Sequence, residues 1–572
     1  MLRRRPNPRS ARIDLPPVAP AAVAMVAVLA SWASGLVLER VAGLHTDVVV
    51  LSAVLALTLG RAEARPSGLR LGRPGWIVPA PLVRVVALAV VAVLAGRVGV
   101  LLVQHPNVGD ALFVLALTLP VWLRRFGRPV ARLASLAALP FLSLLVVPVP
   151  VSGRTATSLW PAAIGVIAFG WVTVARWTAV RLGVLEALPA GRPGADVRAR
   201  RVARSRPGAD APARRVARSR PGTVRARRRL PASTRMAIQL AIGLAVSFAL
   251  GRWLYPEHWP WLVLTCYIVC SGNRGRGDVL HKGMLRLIGA GAGTISATLI
   301  AGLFPAGDRT ALVLLFVVLA LSLWLRAASH AFWAAGVTAM LSLLYGYYGY
   351  YGSSGVSTLV DRLGGVLLGA VIAGAVSWFV LPVRTADVFR RRLADALAAL
   401  SEYLTALREA AAEVPSRRAD FEAAVAALGE LSPVLGAHRG TIGRVRPAGA
   451  SHAADVIAAV RAVGGPLAEI ALLPEAERTS GSGRRQLGQA ARVVGAVRRR
   501  MRPGDGEEPP RAETRVIPEG DRADAAAWPW TGLAAALDEL DAAFTAELWR
   551  RYGGGARAGG SARRADGGGV SG

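Results

Sequence analysis

Hydrophobic residues along this chain gather into runs instead of alternating with polar ones. Runs near 20–39, 46–59, 82–103, 110–122, 131–148 and 161–180 are followed, after a polar gap, by runs near 236–254, 259–272, 285–304, 310–325, 331–346 and 361–381. A helical crossing of a bilayer core takes about 20 apolar residues, so the pattern predicts an all-α, polytopic membrane protein with about twelve spans in two six-helix halves. Two runs, 46–59 and 259–272, are short for a straight crossing, and they occupy matching places in the two sets. The basic start MLRRRPNPRSAR resembles a signal peptide, but the apolar run after it is long and lacks an A-x-A site. It reads as a retained first span.

Charge orients the pattern. The formal net charge is +33, a value that suggests nucleic acid in a soluble chain and cytoplasmic loops in a membrane chain. Arginines follow the even-numbered runs: Arg61, Arg65, Arg70 and Arg73, then Arg124, Arg125 and Arg128, and in the second set Arg274, Arg276, Arg326, Arg384 and Arg390. The connection 104–110 has none. The positive-inside rule therefore places both chain ends in the cytoplasm of a cell membrane protein.

The two sets also share local text. Gly109-Asp110, an apolar run and Trp122-Leu123-Arg124 correspond to Gly307-Asp308, an apolar run and Trp324-Leu325-Arg326. Six spans per half is an even number, so a duplication would relate the halves by an axis along the membrane normal. Each aspartate is expected to cap the outer end of its helix.

Between the sets, RPGADVRARRVARS is followed by RPGADAPARRVARS, within an arginine-rich stretch over 192–229. Low apolar content with recurrent Pro-Gly predicts disorder. Its expected partner is anionic lipid, or it is a solvated linker. Nucleic acid is not expected, because no aromatic residues interleave the arginines for base stacking.

Beyond Pro382 the period changes. Leu393, Leu397, Leu400, Leu404 and Leu407 alternate steps of four and three, as do Val456, Val460, Val463, Leu467 and Ile470, and Leu533, Leu537, Leu540 and Phe544 continue the theme. Such seams predict a cytoplasmic bundle of four or five helices, and they are compatible with homo-oligomers. The domain layout is thus 1–19 basic N-terminus, 20–182 first half, 183–233 linker, 234–382 second half, 383–552 helical domain and 553–572 tail.

Candidate chemistry concentrates in WPWLVLTCYIVCSGNRGRGDVLHKGMLRLIGAGAGT, residues 259–294. Its apolar run is short enough that Thr265, Ser271 and Asn273 fall near membrane depth, which is tolerable against protein or a water-filled cavity. Cys266 and Cys270, one turn apart in an apolar helix, read as small buried side chains and not as a disulfide. Gly289 and Gly293, with Gly365 and Gly369, suit close helix packing. Ionisable residues at membrane depth are the default functional candidates. Here they are Arg97, Arg286, Asp361 and Arg362. Arg286 can pair a carboxylate or snorkel to lipid phosphate; Asp361 can carry protons or cap its helix. Tyr347 and Tyr348 belong to YGYYGYYG, either an interfacial aromatic belt or a vestibule for aromatic substrates.

Lys282 is the only lysine and is followed by Gly283, so the G-K-[ST] of a nucleotide-binding loop is absent. The sequence has no H-E-x-x-H or Cys-x-x-Cys motif either, which points to no enzyme, no cofactor and no metal.

The W-x-x-L-T of Trp261, Leu264 and Thr265, followed by Arg286, Gly289, Gly293, Thr294, Asp361-Arg362, Gly369 and Leu381-Pro382, resembles the fusaric-acid-resistance family over 234–382. The resemblance implies a membrane module with helical cytoplasmic parts and, for characterised relatives, efflux of aromatic carboxylates. The expectation is an exporter of small organic acids driven by the proton gradient. An organic-anion channel of the plant malate type and a membrane scaffold with a partner-binding cytoplasmic domain are the competing readings. Orientation is testable by single-cysteine labelling. A cysteine at Ser152 is expected to react from outside intact cells and one at Ser205 only after permeabilisation; the opposite result inverts the topology.

Overall fold

The structure is a computed structural model that describes residues 17–42, 47–63, 80–126, 128–145, 159–185, 230–301, 304–305, 308–347, 353–442, 452–501 and 528–543. It divides into two compact units, Met1–Asn273 with Lys282–Pro382, and Arg274–His281 with Val383–Gly572. The arginine-rich stretch 192–229 and the tail 553–572 lie outside the described residues.

The first unit contains, among the described residues, eleven whole α-helices and the greater part of a twelfth, α9, whose residues before Lys282 count with the second unit: α1 (Ala19–Ala42), α2 (Asp47–Glu63), α3 (Ala80–Gln104), α4 (Pro106–Leu123), α5 (Arg128–Leu144), α6 (Trp160–Arg181), α7 (Ala232–Leu254), α8 (Trp259–Cys270), α9 (Arg276–Ala301), α10 (Arg309–Leu325), α11 (His330–Tyr347) and α12 (Ser353–Phe379). Six of them, α1, α3, α4, α6, α7 and α12, contain stretches long and apolar enough to cross a membrane. Their outer faces are apolar. Val86, Val90 and Leu94 on α3, Leu112, Leu115 and Leu119 on α4, and Val313, Val317 and Leu321 on α10 are each between 38% and 63% exposed. Stripes of that size at helical spacing are untenable in water and natural against lipid. The chain is a membrane protein.

Side-chain contacts fix how these helices run. Gln239 Nε2 donates to Val380 O at 2.7 Å, joining the start of α7 to the end of α12. At the other end, a Cβ on Gly364 would lie 2.5 Å from the Tyr255 hydroxyl. The two helices are therefore antiparallel, in contact along about 24 Å at ~1.5 Å of rise per residue. The α1, α2 and α6 helices pack together, and so do α7, α8 and α12. Between these groups α4 meets α7, with Phe113 edge-on to Phe248 at 5.6 Å, and α1 meets α10, with Trp32 edge-on to Phe316 at 5.2 Å.

Two expectations are corrected. Asp308 does cap α10, accepting from Thr310 N at 2.8 Å, but Asp110 sits inside α4 because Pro106 starts that helix a turn earlier. Asp110 instead accepts two hydrogen bonds from Arg252 of α7, at 2.6 and 2.8 Å. Arg252 also donates to Leu102 O and lies 4.6 Å from the Trp259 ring centroid. The two short runs also differ. The α2 helix continues through Arg61-Ala62-Glu63 to 17 residues, whereas α8 stops at 12.

In the second unit the helices are α13 (Thr385–Arg408), α14 (Val414–Gly429), α15 (Ser432–Ile442), α16 (Ala453–Ala462), α17 (Gly464–Leu472), α18 (Glu475–Arg478), α19 (Gly481–Arg500) and α20 (Trp528–Ala543). That is eight among the described residues, not four or five, because Gly464-Gly465-Pro466 and short turns divide the longer seams. The apolar register survives the break: Val456, Val460, Val463, Leu467 and Ile470 all lie in one core with Leu393, Leu397, Leu400, Leu404, Leu407, Leu533, Leu537 and Leu540. Phe544 lies outside the described residues. An ion pair between Arg500 and Asp541, 2.8 Å apart with side chains 7% and 9% exposed, closes one edge. The α13 seam is filled by its own chain, so it is a folding element. Leu397→Asp with Leu404→Asp places two carboxylates at sites of no more than 1% exposure. A 383–552 fragment with both changes is expected to lose cooperative thermal unfolding, each site costing about 3 kcal/mol or more; an unchanged melting curve rules the seam out.

Candidate functional site

The α8 helix is apolar along most of its length and has Pro260 as its second residue, where a fixed φ suits a first turn. At 12 residues it is about 18 Å long, against about 30 Å of hydrocarbon. It ends where Ser271 turns extended and Gly272 takes φ +61°, a conformation that favours glycine. The Lys282 ammonium, 3.5 Å from both Ser271 O and Gly272 O, answers the carbonyls released at that end.

Along α8, His258 at the N-cap, Trp261 and Thr265 form a stripe facing α12. Across from it, α12 presents Asp361, Arg362, Gly365 and Gly369. Gly369 lets the backbones approach, since a Cβ there would lie 2.6 Å from Leu262 O and 2.9 Å from Thr265 Cβ, whereas one on Gly365 would make an ordinary contact, 3.6 Å from Trp261 Cβ. From α9, Arg286 reaches the same place, and its Nε donates to Thr265 Oγ1 at 3.1 Å. Thr265 is fully buried, while Arg286 and Arg362 are 8% and 6% exposed. Arg362 lies 5.6 Å from the Trp261 ring centroid and close enough to Arg286 for the two positive charges to repel. Two guanidiniums, one hydroxyl and an indole thus converge within apolar helices. Charge-assisted pairing with an anion is the chemistry such a group offers.

Asp361 stands apart from this cluster. Its Oδ2 is 3.7 Å from His258 Nδ1, with side chains 44% and 25% exposed. His258 in turn stacks on Trp261, with ring centroids 4.5 Å apart and planes 18° from parallel.

Residues 241–376 match the model of the fusaric acid resistance protein-like family. This stretch is similar to a fusaric acid resistance protein-like domain. The fusaric acid resistance protein-like domain runs from within α7 to within α12 and includes every residue of the cluster, and its family is one of membrane transport proteins. No curated protein matches the chain.

Thr265, Arg286 and Arg362 are therefore together, with Asp361 at the margin. Gly289 and Gly293 lie elsewhere in the domain, against α11, where a Cβ on either would come within 2.3 Å of a backbone carbonyl, Ala331 O or Ala335 O. Arg97 is exposed on α3. Tyr347 ends α11 with its side chain outside the described residues, as is all of Tyr348. Cys266 and Cys270 are free and buried, 3.0 and 4.0 Å from where a Cβ on Gly243 would stand.

Sequence reasoning missed His258 and Arg252. The available signal was the sequence Tyr255-Pro256-Glu257-His258-Trp259, a titratable residue set among aromatics at a helix start. The role of Gly369 is testable against an internal control, since a Cβ on Gly291 meets nothing within 4 Å. Gly291→Ala is expected to raise or preserve thermal stability, up to about 1 kcal/mol. Gly369→Ala is expected to lower it by about 1–3 kcal/mol, because backbone must move. Equal melting temperatures in detergent would refute the close approach of α12 to α8.

Proposed function

We propose that the chain is an exporter of small organic acids, aromatic carboxylates above all, in which inward movement of protons supplies the energy. The observation that carries this reading is the buried Arg286–Thr265 pair beside Arg362, inside the fusaric acid resistance protein-like domain. With its Nε held by Thr265, Arg286 can offer its two terminal amines to a carboxylate as a planar fork. Trp261 supplies an aromatic surface within reach of the second guanidinium. Water is scarce there, so the attraction between guanidinium and carboxylate is stronger than it is at a protein surface.

The reading takes the first unit as two six-helix halves crossing a cell membrane twelve times, with both chain ends, the 192–229 linker and the second unit in the cytoplasm. The contacts between the groups support it. If α1 corresponds to α7 and α4 to α10, then α4 against α7 and α1 against α10 are the same contact made twice, as a two-fold relation requires. The linker's arginines remain candidates for anionic lipid.

Arg286→Gln is expected to remove most carboxylate transport while the protein remains at normal abundance in the membrane. Arg286→Lys keeps the charge and loses the fork, and is expected to restore only part of it. Thr265→Val is expected to weaken apparent affinity about tenfold, corresponding to ~1.4 kcal/mol for one lost hydrogen bond. Uptake of labelled benzoate and related carboxylates into inside-out vesicles measures all three. Normal transport by Arg286→Gln would return Arg286 to the role of a topology anchor.

A further inference from the structure

We propose that His258 and Asp361 form a proton-operated latch across one mouth of the Arg286–Thr265–Arg362 cluster. His258 stands at the N-cap position of α8 and Asp361 lies on the stretch of α12 that faces it, with Nδ1 and Oδ2 3.7 Å apart. Both side chains reach solvent, at 25% and 44% exposure, so protons from the adjoining compartment have access to the pair. Histidine is the side chain that changes charge between about pH 5 and 8. As imidazolium it attracts the Asp361 carboxylate and ties the two helices together. As neutral imidazole it attracts the carboxylate far less, and the tie loosens.

The latch bears on the cluster through contacts already present. The His258 ring stacks on Trp261, which lies beside Arg362 and one helical turn from Thr265 on α8. Freeing His258 from Asp361 therefore loosens the stacked pair that adjoins Arg362. Among the described residues, the charged and titratable groups on the elements around His258 are Asp361 and Arg362 on α12, Arg252 on α7, and Tyr255 and Glu257 in its own connection. Arg252 is held by Asp110, and Asp361, 3.7 Å away, is the carboxylate that faces His258 from another helix. The direction follows: acid on this face closes the mouth, and alkali opens it. A carrier that releases acids outward gains from this, since protons outside then favour return of the emptied site.

The inference rests on reading the arginine cluster as the substrate path, but its test needs no substrate. In full-length protein with Cys266→Ala and Cys270→Ala, Thr265→Cys places a thiol at the cluster. Its labelling by a small anionic methanethiosulfonate is followed from each face of the membrane between pH 5.5 and 8. The same thiol in a His258→Gln background corrects for thiol ionisation, and Asp361→Asn breaks the pair independently should His258→Gln fold poorly. From the face carrying His258, labelling is expected to rise about tenfold more with pH in the parent than in either variant, and from the opposite face the three are expected to agree. Identical pH dependence in parent and variants on both faces overturns the latch. Benzoate counterflow by the unmodified protein is measured alongside: its absence with the pH difference intact sinks the transport reading and leaves the latch standing.

Discussion

A guanidinium inside a bundle of apolar helices costs free energy to bury, and the arrangement around Arg286 exists to offset that cost. One hydrogen bond to Thr265 satisfies Nε, the Trp261 indole lies beside the second guanidinium, and close backbones exclude bulk water. Arg362 stands near enough for its charge to bear on Arg286. On the transport reading proposed above, an arriving carboxylate would meet both guanidiniums at once.

The break after α8 belongs to the same economy. A full-length helix would carry Thr265 and Arg286 on separate, internally saturated segments with no polar interruption between them. Stopping at Ser271 releases carbonyls and turns the chain through Gly272, so α9 starts where Arg286 can approach Thr265. The close contact at Gly369 then brings α12 near enough to add Arg362. Glycine serves differently at each step: Gly272 supplies the left-handed backbone of the turn, and at Gly369 a Cβ would strike Leu262 O and Thr265 Cβ.

Much of this was legible in the sequence because bilayer helices announce themselves by the length and composition of their runs. All twelve apolar runs coincide with helices of the first unit, and the short α8 was evident from ten apolar residues followed by Ser-Gly-Asn. The heptad-like spacing of Leu393 to Leu407 likewise located a buried seam. What the runs did not reveal depends on pairings distant in the chain. Pro106 is a local reason for Asp110 to lie inside α4, but nothing local supplies its partner Arg252, and nothing local joins His258 to Asp361. The division of the second unit into eight helices was hidden for a different reason, since a Gly-Gly-Pro kink can rotate the chain without disturbing which residues face the core.

One consequence concerns chemistry performed on the protein in place of chemistry performed by it. Lys282 provides the single side-chain amine in 572 residues, and that amine lies against the carbonyls at the end of α8. An amine-selective reagent consequently addresses one internal position, at the break on which the cluster depends. Its reactivity rises when the end of α8 frays and falls when it closes, so the chain contains a built-in reporter on the geometry of its own interrupted helix.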